Sequence, residues 1–378
     1  MTGDLRPQSD TIFKKLLRKP SAVAGLCIIG ITCLLALFAY LLAPDDTPYA
    51  NRMVIELGAR QPGFSKQLLF IPASTQAGQQ QHFFTWLHGW SSGFRAIPIN
   101  SYRFEGEKLV AAHYIDEGIA DTVTFAMQQL LPKDKQALPA EKQQAYLEQN
   151  QIKERTFWLG TDRYGRDILS RLLVGARVSI AVGLVAVLLS ISIGIILGAL
   201  AGYFGGVIDD IIMWLINILW AIPTLLLVFA ITLTIGKGFW EIFIAIGLTM
   251  WVSAARLIRG QVLVLREMEY ITAAKALGLS DIRIIFRHIL PNIAGPLMVI
   301  AASNFAAAIL IEAGLSFLGI GVQPPQPSWG LMIKEHYNFI LTNRPLLAII
   351  PGIAIMLLVY AFNVLGNALR DVLDVREQ

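Results

Sequence analysis

Six long apolar runs, separated by polar segments of very unequal length, organise this chain. Residues 21–43 carry no charge, and further runs cover about 176–201, 211–235, 241–255, 293–317 and 346–365. As a helix, the first run would span about 35 Å, enough to cross a hydrocarbon core of about 30 Å. It is longer than the apolar stretch of a signal peptide, and no A-x-A cleavage pattern follows it, so it is expected to be retained. The pattern predicts an all-α polytopic membrane protein with six transmembrane helices. Pro223 lies inside the third and should kink it near Ala221.

Two polar segments interrupt the runs. Residues 44–155 have the composition of a small soluble domain, expected to be α+β. Tyr102 to Val110 reads as a hairpin turning at Gly106, and 133–155 reads as an exposed helix or linker. The second polar segment, 256–292, is basic and amphipathic. The expected organisation is a tail (1–20), a first span (21–43), the insertion (44–155), an interfacial segment (156–175), a membrane core (176–367) that includes the loop 256–292, and a second tail (368–378).

Composition agrees with lipid exposure: 55% of the 378 residues are hydrophobic, 15% are charged, and the mean hydropathy is +0.56. Soluble domains hold about 25% charged residues. The net charge of +4 is too small to suggest nucleic acid. The placement of positive residues says more. With the N-terminus inside, the cytoplasmic flanks hold Arg6, Lys14, Lys15, Arg18, Lys19, Arg256, Arg259, Arg266, Lys275, Arg283, Arg287, Arg370 and Arg376. The short loops opposite hold Lys237, Lys334 and Arg344. This bias puts both termini and the basic loop in the cytoplasm and 44–155 outside.

Catalytic chemistry is not indicated. Cys27 and Cys33 are six apart in one helical run and cannot pair there. Gly236-Lys-Gly238 lacks phosphate-loop spacing, and no nucleophile–base constellation stands out. His288 reads as a surface or interface residue. The expectation is a non-enzyme with no cofactor and no metal.

Three patterns single out residues within the membrane core. Ala186, Ser190, Gly194, Gly198 and Gly202 recur every four residues and form a stripe where another helix can approach closely, within this chain or from a second subunit. Ahead of that helix, Thr161 or Asp162 can serve as an N-cap. Asp167 and Arg171 have i,i+4 spacing, and Trp158 and Tyr164 suit an interface. Glu312 lies about twenty residues into the fifth run. It is either a functional acid, as at a gate, or a hydrogen-bonding group between helices.

The segment Tyr270–Asn292 reads as two short helices broken at Gly278 and stopped at Pro291. It resembles the cytoplasmic "EAA" loop of permease subunits of bacterial ABC importers. Ala273, Ala274, Gly278, Leu290 and Pro291 match that pattern, while Thr272 stands where the family has Glu and His288 where it has Ile. The His variant looks like the peptide-importer branch. Residues 159–172, Glu312–Gly321 with Pro327–Gly330, and Ala361–Asp371 are similar to segments of the "C"-type dipeptide and oligopeptide permeases, and Ser21–Leu26 fits too. Residues 44–155 depart from the family, whose connection there is much shorter.

The resemblance implies a type I importer fold. It also implies a second permease subunit, two ATPase subunits that bind ATP, an extracytoplasmic binding protein, and a peptide substrate crossing the lipid bilayer. The same branch also carries nickel chelates and antimicrobial peptides. The helix pair around Gly278 would lie in a groove on an ATPase, with Ala273, Ala274 and the turn at Gly278 supplying the docking geometry and Arg283 and Arg287 pairing with acids; Thr272, His288, Leu290 and Pro291 belong to the same coupling segment. A stand-alone secondary transporter would need internal repeats and several intramembrane charges, and neither is apparent. A membrane-anchored enzyme or receptor working through 44–155 would need a site there, and no catalytic group stands out.

Overall fold

The computed structural model describes residues 14–72, 89, 93–132, 135–236, 238–341 and 344–374. Arg6, Lys237 and Arg376 of the charge count lie outside the described residues. The first span is helix α1 (Pro20–Leu37), extended past Phe38 by one turn over Ala39–Leu42. Pro20 opens α1, where its missing N–H has no helical partner to lose.

The described part of the insertion folds as a five-stranded antiparallel sheet. Its strands are β1 (Phe64–Pro72), β2 (Phe94–Glu105), β3 (Lys108–Asp116), β4 (Ile119–Ala126) and β5 (Ile152–Phe157), in the order β4-β3-β2-β1-β5. The turn between β2 and β3 is at Gly106, as expected, with φ 61. Helix α2 (Ala140–Asn150) occupies much of the stretch read as helix or linker, but residues 152–155 belong to β5. Lys153, Glu154 and Arg155 hid that strand, because an edge strand can carry charge on its solvent side. The strand period of two sends Leu69 to one face and Leu68 to the other. Leu69 packs with Ile99, Leu109, Met127, Leu130 and Leu147, whereas Leu68 packs with Val54, Leu57, Tyr114 and Phe157.

The membrane bundle contains α3 (Ile168–Phe204), α4 (Gly206–Ala221), α5 (Thr224–Ile235) and α6 (Phe239–Arg266). After α7 (Glu269–Ala276) come α8 (Ala294–Leu318), α9 (Trp329–His336) and α10 (Leu346–Asp374). Among the described residues, five helical segments are long and apolar enough to span a membrane, six if α4 and α5 count as one span. That pair bends by 95° at Ile222–Pro223, so the expected kink is a full break. Pro223 supplies no N–H to the ladder and disfavours helical backbone at Ile222.

Three helices overrun their expected limits. α3 begins at Ile168, so the interfacial segment 156–175 is half helix. α6 continues to Arg266, through Arg256 and Arg259, and α10 runs past 367 to Asp374. Hydropathy marks where a helix leaves lipid and carries no information on where the helix stops. α3 has 37 residues and is therefore about 55 Å long, well beyond one hydrocarbon core.

The small-residue stripe packs against α6 of the same chain. A Cβ on Gly194 would lie 2.6 Å from the Ala254 Cβ, one on Gly198 2.5 Å from the Ala255 carbonyl oxygen, and one on Gly202 2.8 Å from that of Arg259. Ala186 and Ser190 are fully buried on the same stripe.

Candidate functional site

The basic loop forms an elbow that projects from one end of the bundle. α7 ends in a Schellman motif: the Leu279 N–H donates to the Ala274 carbonyl (3.2 Å) and the Gly278 N–H to that of Lys275 (2.9 Å). Gly278 has φ 75, and among the described residues no atom lies within 4 Å of where its Cβ would be. The glycine is needed for backbone conformation, not for space. Beyond it, a helical turn (Asp281–Ile284), a π-helical turn (Ile285–Ile289) and a 3₁₀ turn (Leu290–Ile293) lead into α8.

The elbow has two faces. Ile271, Ala274, Ile284, Ile285 and Ile289 are buried against Tyr203, Ile258 and Val262 at the ends of α3 and α6. The opposite face is exposed: Thr272, Ala273, Gly278, Arg283, Arg287 and Pro291 all lie there, with His288 and Leu290 half-buried at its margin. Ala274 therefore does not share the face of Ala273. Three residues that sequence reasoning missed dominate the exposed face, namely Leu277 (81% exposed), Ile282 (70%) and Phe286 (66%). The signal was present, since these large apolar residues sit in a water-facing segment between charges.

Polar contacts join the elbow to the bundle. The Tyr203 hydroxyl donates to Asp281 at 2.6 Å, and the Lys275 ammonium lies 5.0 Å from the Tyr203 ring centre. Arg266 donates to the carbonyls of Gly202 and Tyr203, which the last turn of α3 leaves without helical partners. Arg259 pairs through two nitrogens with Asp209 of α4. The elbow is thus tied to α3 and packed on α6, and α6 is tied in turn to α3 and α4.

At the other end of α3 the inserted domain is seated on residues 157–167. The Val54 N–H donates to the Tyr164 carbonyl (3.1 Å), the Ala59 N–H to that of Asp162 (2.7 Å), and the Arg60 N–H to the Thr161 hydroxyl (2.8 Å). Gly165 is in the left-handed region, and a Cβ there would run into the Val54 carbonyl oxygen. Neither Thr161 nor Asp162 caps α3. Thr161 is spent on the domain and Asp162 on Arg166 and its own turn, so Asp167 is the cap and accepts from the Ser170 N–H at 2.8 Å. Burial pushes the Asp167 carboxyl up, against the pull of its Ser170 bonds.

Arg171 does not pair with Asp167 as its spacing suggested. Arg171 and Arg166 converge on Glu335 of α9 (3.2 and 2.8 Å), and Arg166 also holds Asp162. Asp162, Glu335 and His336 each bring a possible ligand atom within 4.8 Å of the others. Two buried guanidinium groups already balance the two carboxylates, so a divalent ion would leave net charge in a low-dielectric site. The cluster reads as an ion-pair knot. Burial holds His336 below its ordinary range, with its Nδ1 2.7 Å from the Met332 carbonyl oxygen.

Glu312 is fully buried where α8, the loop after it and α9 meet. It accepts from the Ser316 hydroxyl one turn on, at 2.7 Å, and also bonds the Ser328 hydroxyl at the start of α9, so it ties α8 to α9. The same Ser316 hydroxyl accepts from the Val322 N–H and lies 3.4 Å from the hydroxyl of Ser328, the cap of α9.

Comparison with known proteins gives a consistent picture. Residues 194–377 match the family described as "Binding-protein-dependent transport system inner membrane component". Residues 8–62 match "N-terminal TM domain of oligopeptide transport permease C". The chain is 41% identical over 252 residues to "Glutathione transport system permease protein GsiD" of Pectobacterium atrosepticum, a match covering 67% of this chain and 82% of that one. It is 45% identical over 217 residues to "Dipeptide transport system permease protein DppC" of Alkalihalophilus pseudofirmus, covering 57% and 71%. It is 42% identical over 231 residues to the DppC of Bacillus subtilis, covering 61% and 72%. Among solved structures, an inward-facing MetNI methionine ABC transporter chain aligns at 21% identity and a TM-score of 0.42, over 53% of this chain and 96% of that one.

Proposed function

Because the chain belongs to the family of binding-protein-dependent transport inner-membrane components, we propose that it is the permease subunit through which an ATP-driven importer moves di- or oligopeptides across the bacterial inner membrane. The relatives named above are permeases for glutathione and dipeptides, both short peptides. The elbow carries the reading: an exposed ridge of Leu277, Ile282 and Phe286 flanked by Arg283 and Arg287, on a segment fastened to α3 and α6.

In this reading each half of the transporter's ATPase pair takes one permease elbow in a groove. This chain serves one ATPase, and a second permease subunit serves the other and completes the pathway. ATP closes the ATPases, the elbow moves as a lever, and α3 and α6 move with it. The permease hydrolyses nothing itself. The positive residues keep both termini and the elbow in the cytoplasm, and the inserted domain faces outward, where a binding protein delivers peptide. The seat on 157–167 supports a rigid role for that domain in receiving the binding protein.

The test is copurification and transport. The tagged chain should bring down an ATPase pair and a second permease, and the reconstituted complex should take up peptide only with ATP. Ile282→Glu with Phe286→Glu should release the ATPases, because two carboxylates replace the apolar contact. Full ATPase retention by that variant, or uptake by the chain alone, would refute the proposal.

A further inference from the structure

The break between α4 and α5 interrupts a helix pair that is together long and apolar enough for one span, which would put it at membrane depth. Irregular backbone persists there only where protein buries it or where it lines an aqueous path. Residues 220–225 are exposed on this chain, and broken helices are where transporters place their substrate sites.

A groove of ≈ 220 Å³ opens beside the break, between α4–α5, α6 and α8. Its wall includes Trp220, Thr224, Thr249, Ser253, Asn304 and Ile311, and none of its lining side chains is charged. The hydrogen-bonding state of the wall can be worked out. The Thr249 hydroxyl donates to the Ile246 carbonyl (2.8 Å), and the Ser253 hydroxyl to that of Met250 (3.1 Å). Each hydroxyl has then used its one proton and retains lone pairs.

Asn304 follows the same logic. Ser190 donates its proton to the Val187 carbonyl (3.2 Å), so it can only accept from Asn304, at 3.2 Å. That fixes Nδ2 toward Ser190 and leaves Oδ1 as the amide's acceptor. Three side chains from two helices thus offer oxygen acceptors to one groove. A ligand that complements such a wall carries N–H donors, and the second Nδ2 hydrogen of Asn304 and the Trp220 indole N–H leave donors for its carbonyls.

We infer that this groove is a mid-membrane binding step for the transported peptide, in which Thr249, Ser253 and Asn304 accept hydrogen bonds from its N–H groups. The inference rests on the functional reading above and deepens it. Backbone amides are common to all peptides, so a wall that reads them passes peptides regardless of side chain. The absence of charge in the lining avoids trapping acidic or basic ones.

The test uses the complete transporter in proteoliposomes with saturating binding protein. The probes are trialanine and trialanine methylated at both amide nitrogens, which removes the amide donors and leaves the terminal ammonium in both. The wild type should carry trialanine faster. Asn304→Leu and Ser253→Ala should each reduce that preference, by roughly two- to tenfold for one hydrogen bond. A general folding defect would slow both peptides alike and leave their ratio unchanged. Ser253 is exposed, so its variant decides the matter if Asn304→Leu does not assemble. Equal wild-type rates, or an unchanged ratio in both variants, would overturn the inference and assign the groove to the second permease or to lipid. A wild type that carries neither peptide with ATP would overturn the functional reading, and this inference with it.

Discussion

Gly278→Val tests the mechanical role proposed for the elbow. Gly278 has φ 75 and open space around its Cβ position, so the substitution creates no clash and its whole effect is conformational. The left-handed backbone costs an ordinary L-residue about 1–2 kcal/mol, and branching at Cβ adds to that. If the valine leaves the left-handed region, the two bonds from residues 278 and 279 to the carbonyls of Lys275 and Ala274 are lost, at about 0.5–1.5 kcal/mol each in partial solvent. The smaller of the two routes sets the cost, roughly 1–3 kcal/mol. That lowers the population of the docked elbow shape by roughly 5- to 160-fold. The strain falls on an exposed segment, so bundle stability should barely change. The assay is peptide uptake per ATP hydrolysed in proteoliposomes, for Gly278→Asn, Gly278→Ala and Gly278→Val. Asn tolerates left-handed backbone best of the three, so coupling should fall in the order Gly, Asn, Ala, Val. Wild-type coupling in the Val variant would refute the lever argument. So would an Asn variant as poor as Val, because backbone conformation would then not be the cause.

Other substitutions probe the packing of the bundle and the seat of the inserted domain. Gly198→Val should destabilise the bundle by about 1–3 kcal/mol or more through overpacking, because its Cβ would meet the Ala255 carbonyl oxygen at 2.5 Å; thermal unfolding in detergent measures this. Arg171→Ala should cost about 3–5 kcal/mol, since it leaves Glu335 short of a partner in a buried cluster; proteolysis of the inserted domain and of α9 should report it. His336 gives the seat a pH dependence of known sign. Its folded pKa is depressed by burial, so between the ordinary value near 6.5 and the lower folded value the unfolded chain binds the extra proton. Stability should therefore fall as pH drops through that window, and His336→Asn should flatten the slope in pH-dependent unfolding.

Much of the bundle was legible because lipid imposes a one-dimensional rule. A run such as 21–43 must be apolar along its whole length to cross the bilayer, so counting residues finds it. Pro223 likewise carries its effect in its own ring, and Gly106 and Gly278 carry theirs in a backbone freedom that other residues lack. The elbow was found from local spacing for the same reason. Its exposed face was not: Ala273 and Ala274 are adjacent, yet only packing against α3 and α6 decides that Ala274 is buried while Leu277, Ile282 and Phe286 stand clear.

Charge was the least legible property. Asp167 and Arg171 have the spacing of a helix pair, but Asp167 is taken by the end of its helix and Arg171 by Glu335, 164 residues away. Coulomb attraction depends on distance in space, and the sequence records only distance along the chain. Hydropathy, glycine and proline act on their own stretch of backbone, so the amino-acid order alone settled the apolar runs, the place of the interruption at Pro223 and the turn of the elbow. Which helix meets the glycine stripe, which cations neutralise which acids, and how the inserted domain sits on α3 depend on segments far apart in sequence, and only the folded chain brings those together.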